Sequence, residues 1–205
     1  MKKTKISVFI FISLLFVLLG CKKTVKAFLT EVSTSENYVK TLHDGVVYIK
    51  CAYRPPEFLV LRELENDSNS TIKQKPFEDA LKSYEHGVYF EVRIGMEDGS
   101  NIVRKDIRNQ DEFKLRVNYL NYGLLRDFFI IKENGDKVYP ISYNYYNLNG
   151  ISNTADFIFV FSRAQLVDAK KIDLYYTDHT FNIQREIHFS YPIELINKKE
   201  NIKFE

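Results

Sequence analysis

Across residues 88–96 the chain alternates without a break. Val88, Phe90, Val92, Ile94 and Met96 are apolar, with Tyr89, Glu91, Arg93 and Gly95 between them. Successive side chains of a strand point to opposite faces, so this pattern gives one buried face and one wet face. A slip of one residue would turn the whole apolar set to water, so the register is fixed as well as the conformation. A chain built around such a segment needs a second layer to cover the apolar face.

The same period recurs. Strand-like runs fall at 46–53, at 113–119 (Phe113, Leu115, Val117, Tyr119), at 128–132, at 137–146, at 157–161 and in a last hairpin of 171–177 with 181–191 around Asp178, His179 and Thr180. Turn signals separate them: Asp44-Gly45, Asp98-Gly99 and, clearest, Asn134-Gly135, where glycine supplies the positive φ that a tight hairpin requires. Pro140 marks an edge position, because proline has no N–H to give to a ladder. The period lengthens in one early block only. Phe58, Leu61 and Leu64 predict a helix over 56–65, opened by Pro56, and Phe77, Leu81 and Tyr84 predict another over 76–85. About eight strands with one or two short helices inserted between the first strands predict a mainly β chain, an antiparallel β-sandwich rather than alternating βαβ units.

The aromatic content, 14 Tyr and 16 Phe with no Trp, suits sheets. The formal charge of +2 over 205 residues includes Lys2, Lys3 and Lys5; without residues 1–20 it becomes −1. That balance speaks against a nucleic-acid partner, which calls for a basic face.

Residues 6–19 are apolar apart from Ser7 and Ser13 and follow the three lysines. As a helix they reach about 21 Å, short of a bilayer core of about 30 Å, so the run reads as a secretory signal rather than a permanent span. It ends in Leu18-Leu19-Gly20-Cys21, which resembles the lipobox of bacterial lipoproteins. The resemblance implies cleavage before Cys21, diacylglycerol on the Cys21 thiol and acylation of the new amine. Two acyl chains give durable attachment where one holds marginally. The partner implied is therefore a membrane, reached through N-terminal lipid. Lys22 and Lys23 follow, each worth about 1 kcal/mol beside anionic headgroups. The family's inner-membrane aspartate and its acidic export run are both absent, which implies the periplasmic face of an outer membrane, or the cell exterior in a bacterium with one membrane. The nearest overall resemblance, confined to residues 1–23, is to lipoproteins of the Bacteroidetes type. The organisation expected is a signal peptide over 1–20, a lipidated N-terminus and tether over 21–44, a β-rich domain over 45–196 and a charged tail over 197–205.

Catalytic motifs do not assemble. Ser70-Thr71-Ile72-Lys73 has S-x-x-K spacing, but the S-D-N and K-T-G motifs that complete such a site are missing. His43, His86, His179 and His188 show no metal-ligand spacing, so neither metal nor cofactor is expected. Glu57, Glu91, Asp127, Asp156, Asp173 and Glu186 flank elements, and the sequence selects no pair among them. Cys51, left unpaired once Cys21 carries lipid, reads as a small buried hydrophobe in a strand. Binding residues are sought instead where tyrosine and asparagine concentrate, at Tyr143, Tyr145, Tyr146, Asn147 and Asn149, beside Tyr139 and Asn144. Tyrosine combines contact area with a hydrogen-bonding tip, which suits a glycan or a partner protein of the envelope. The reading is a lipid-anchored binding or scaffolding protein. The alternatives are a periplasmic hydrolase or glycan-processing enzyme with a site built from distant strands, and an inhibitor or immunity-type protein projecting the 147–154 loop.

Overall fold

The computed structural model describes residues 22–67, 72–146, 152–183 and 185–204. Cys21, Ser70, Asn147 and Asn149 lie outside the described residues, as does most of the 147–154 loop.

Two antiparallel sheets face each other. The larger is built from β2 (Val39–Asp44), β3 (Val47–Arg54), β4 (Gly87–Met96), β8 (Ala155–Ser162) and β7 (Ser142–Tyr146), in the order β2-β3-β4-β8-β7. The smaller runs β10-β9-β5-β6, from Ile187–Pro192, Lys171–Tyr176, Phe128–Ile131 and Lys137–Val138. The alternation of β4 holds: Val88, Phe90, Val92 and Ile94 are buried. Register places Phe90 opposite Tyr53 and Phe159, and Val92 opposite Cys51 and Phe157. The second sheet answers with Phe128, Leu174, Tyr176, Phe189 and Tyr191. Rings interlock across the gap, Phe128 on Phe159 at 4.1 Å and Phe90 on Tyr191 at 5.3 Å. Tyr191 keeps its hydroxyl satisfied by donating to the Cys51 carbonyl at 2.9 Å. Cys51 itself is fully buried, and burial pushes its thiol up to about 12, so it packs as an inert hydrophobe.

The inserted helices stand between β3 and β4 as α2 (Pro56–Asp67) and α3 (Gln74–Leu81). Among the described residues three more α-helices lie outside that block. The 21–44 segment is no tether over its described part. It forms β1 (Lys23–Thr24), α1 (Val25–Thr34) and the edge strand β2. Val25, Phe28, Leu29 and Val32 fall at helical spacing, and the Thr24 hydroxyl caps the first turn by accepting from the Ala27 N–H at 3.2 Å. The 113–119 run is not a strand but part of α4 (Gln110–Tyr122). The 137–146 run is two strands, β6 and β7, one in each sheet, and the chain changes sheets at Tyr139-Pro140-Ile141. The tail is folded: after α5 (Ile193–Asn197), β11 (Ile202–Lys203) pairs in parallel with β1, and Phe204 packs on Phe77 at 4.9 Å.

The sandwich has two distinct ends. At one, Arg54 of β3 and Pro192 of β10 lead into α2 and α5, and the Tyr53 hydroxyl donates to the Ile196 carbonyl. The β1–β11 pair lies here, joined through Glu200 to Tyr38, whose ring stacks on Tyr53. At the other end, β4 runs out at Met96 towards α4, and Tyr176 of β9 faces Ile187 of β10.

Candidate functional site

A groove of about 620 Å³ opens at this second end, between α4 and residues 177–183 of the β9–β10 connection. Its wall, α4, starts at Asn109, whose side chain accepts from the N–H groups of Asp111 and Glu112. Glu112 reaches back past the cap to accept from the Arg108 N–H at 2.9 Å and also accepts from the Asn109 side-chain amide at 3.1 Å. The helix ends at Gly123. A β-carbon there would come within 2.4 Å of the Tyr119 ring, so glycine is what lets that ring fold across the helix end.

The opposite wall is pinned by Asp178. Its carboxylate accepts from the backbone N–H groups of Thr180, Phe181 and Ile183 and from the Tyr176 hydroxyl at 2.6 Å. Phe181 is buried and anchors the connection in the core, and Asn182 takes a left-handed φ of 60°. The Arg116 guanidinium lies over the Phe181 ring, 5.8 Å from its centre, and donates to the carbonyls of Val103 and Lys105. Burial holds its pKa below the usual arginine value.

Asp127 lies behind the groove lining, in contact with two of its residues, Tyr119 and His179. It closes the turn Leu124–Arg126, and its carbonyl accepts from the Thr177 N–H at 2.9 Å. Its side chain accepts from the Tyr119 hydroxyl at 2.7 Å and lies 3.2 Å from His179 Nδ1. Asp127 is 4 % exposed. Burial raises its pKa, and the bonds from Tyr119 and His179 oppose that rise. Burial and the neighbouring carboxylate raise the Tyr119 phenol in turn. A carboxylate can only accept, so the His179 proton is assigned to Nδ1 and the lone pair to Nε2. An imidazole oriented this way can accept a ligand's hydrogen bond or take a proton from it. Thr180 adds a buried hydroxyl oxygen with no partner among the described residues. Among the lining residues Leu115 is 71 % and Tyr122 is 78 % exposed, and the lining as a whole is mostly apolar.

His43 and His188 also meet carboxylates, Glu97 and Asp173, but on open sheet faces rather than in a groove. Among the described residues no group of three or more His, Cys, Asp and Glu side chains could hold a metal ion.

The tyrosine cluster divides. On β7, Tyr143 and Tyr145 point inward and stack on Phe159 and Phe157 at 5.4 and 5.0 Å, and Asn144 and Tyr146 point outward. Tyr139 joins a separate group, 6.0 Å from Phe129 on the outer face of the smaller sheet. Tyr143 still serves the groove indirectly, since its hydroxyl accepts from the Leu124 N–H at 3.3 Å, at the head of the turn that carries Asp127. Asp127 and His179 are each visible in the sequence as a flanking acid and a turn histidine. Fifty-two positions separate them, and no local pattern pairs them. No family model matches the chain, and neither the curated proteins nor the solved structures contain a significant match to it.

Proposed function

We propose that this is a lipid-anchored cell-envelope protein that binds a segment of another envelope protein in the groove between α4 and the β9–β10 connection. The anchor rests on the lipobox-like Leu18-Leu19-Gly20-Cys21. The binding role rests on one observation: two large apolar side chains, Leu115 and Tyr122, stand exposed on a mostly apolar groove that also presents His179 and Thr180. Exposed apolar contact around directional hydrogen-bonding groups is the pattern of a recognition surface. Leu115 favours a polypeptide over a sugar, because an aliphatic rim offers a glycan neither a stacking face nor a donor.

Photo-cross-linkers placed at Tyr122 and at Tyr146 test the site in cells. Capture of one defined envelope protein from position 122, abolished by Leu115→Ala, supports the groove. Capture from position 146 alone moves the site to the outer face of β7. Cys21→Ser tests the anchor, with the expected result that the protein is no longer processed as a lipoprotein and leaves the membrane fraction. Unchanged sedimentation and maturation would end that reading.

The His179–Asp127 pair favours a second reading, a hydrolase or glycan-processing enzyme in which His179 is the base. Under that reading His179→Gln abolishes turnover of envelope polymers and leaves cross-linking at position 122 intact.

A further inference from the structure

The described fold begins at the residues that follow the proposed lipid attachment. Lys23 already pairs with Ile202, and Thr24 with Lys203. Consecutive Cα atoms stand about 3.8 Å apart, so the Cys21 Cα lies within about 8 Å of that of Lys23. Acyl chains on Cys21 would therefore leave no spacer, and the end of the sandwich that carries β1 and β11 would be held against the headgroups.

That end is basic. Residues 22–31 carry Lys22, Lys23 and Lys26 against Glu31, and residues 197–204 carry Lys198, Lys199 and Lys203 against Glu200. Lys23 pairs with Glu31 and Glu200, and Lys198 with Glu200. Lys22, Lys26, Lys199 and Lys203 are exposed, and none of them enters an ion pair among the described residues. These two segments together hold a formal +4 in a chain that carries −1 beyond residue 20, which leaves −5 for the remainder. The two segments are thus the basic part of a chain that is otherwise acidic.

We infer that Lys22, Lys26, Lys199 and Lys203 form a docking face for an anionic phospholipid bilayer, which holds the sandwich upright with the α4 groove pointing away from the membrane. The inference rests on the anchor reading for its location and on the charge pattern for its specificity. The groove follows from topology. β10 leaves the basic end at Pro192, and its other terminus, Ile187, lies opposite Tyr176, next to the connection that carries His179. A six-residue strand spans about 17 Å, so with the strand upright the groove stands about that far from the basic segments.

Mature protein purified from its membrane is mixed with vesicles of phosphatidylcholine alone, or with one part in three phosphatidylglycerol, and amide hydrogen exchange is followed by mass spectrometry. The expected result is that residues 22–30 and 197–204 exchange several-fold more slowly on the anionic vesicles, while residues 110–122 exchange alike on both. The difference should vanish in the Lys22→Gln, Lys26→Gln, Lys199→Gln, Lys203→Gln variant and at high salt. Each single Lys→Gln change should weaken the phosphatidylglycerol-dependent part of binding by about fivefold. Equal exchange of the basic segments on both vesicles, or an anionic effect that survives the fourfold variant, overturns the inference. Attachment to phosphatidylcholine vesicles reads the acyl anchor separately. A chain without lipid stays free of them and still reports docking, through phosphatidylglycerol-only sedimentation and protection.

Discussion

Tyr143 and Tyr146 are three positions apart on one strand and lie in opposite environments. The pleat turns Tyr143 onto Phe159 and leaves Tyr146 52 % exposed. Residue type alone could not separate them, because tyrosine suits a core edge and a binding surface equally well. The β7 register decides, pairing Tyr143 with Phe159 and Tyr145 with Phe157 on the core side. Tyr143→Ala should therefore cost about 2 kcal/mol of stability, a half-buried fraction of the usual aromatic-to-alanine loss. Tyr146→Ala should stay within about 0.5 kcal/mol. Chemical denaturation midpoints at constant m-value check both, and equal effects would mean that the strand presents its faces differently. Cys51 was the easier residue to read, because its flanking pattern, Ile49 and Tyr53 at intervals of two, places it on the buried face without any knowledge of the partner strand.

At the scale of elements, α4 shows what competes in the sequence. Phe113, Leu115, Val117 and Tyr119 fit a strand's period, but Phe113, Val117, Leu120 and Leu124 fit a helix, and the structure turns the second set inward. The first set would have left Leu120 and Leu124 without a core to enter. The deciding signal is local and stands in the letters: Asn109 followed three residues later by Glu112 has the N-cap and N3 spacing of a helix start, which settles the conformation before periodicity is counted. β4, α2 and α3 carried no such conflict, and their positions follow directly from the sequence. Because the cap holds the wall of the groove, Asn109→Ala should cost about 1 kcal/mol. It should also speed amide exchange across 110–122 more than across β4. If the loss is spread uniformly over both elements, the cap acts on global stability alone and does not set the groove wall.

On the scale of the whole molecule, the least legible feature is the joining of the two ends of the chain. β1 and β11 are two residues each, too short to show a period, and their pairing closes a loop of about 180 residues, so no local pattern can announce it. What holds the joint is a buried charge. Glu200, with its side chain 4 % exposed, accepts from the Tyr38 hydroxyl at 2.9 Å and meets Lys198 at 2.8 Å and Lys23 at 3.5 Å. Burial alone would raise its carboxyl. The Lys198 and Tyr38 hydrogen bonds, with the Lys198 and Lys23 charges, outweigh burial and hold it below the ordinary value of 4.5. A carboxylate whose folded pKa is depressed adds stability that is complete above its unfolded pKa and is lost as pH falls through the lower, folded one. Glu200→Gln should therefore destabilise the protein by about 1.5–3 kcal/mol at neutral pH, the range for hydrogen bonds to a charged group. The gap between wild type and variant should hold down to about pH 4.5 and close below it. Glu57, raised by burial and by the Glu200 charge, also responds to the substitution, whereas groups remote from Glu200 are common to both proteins and cancel in the difference. Denaturant titrations of the pair from pH 7 to pH 3 measure it. A gap that stays constant to pH 3 would mean that packing of Ile202 and Phe204, rather than the Glu200 charge, ties the two termini together.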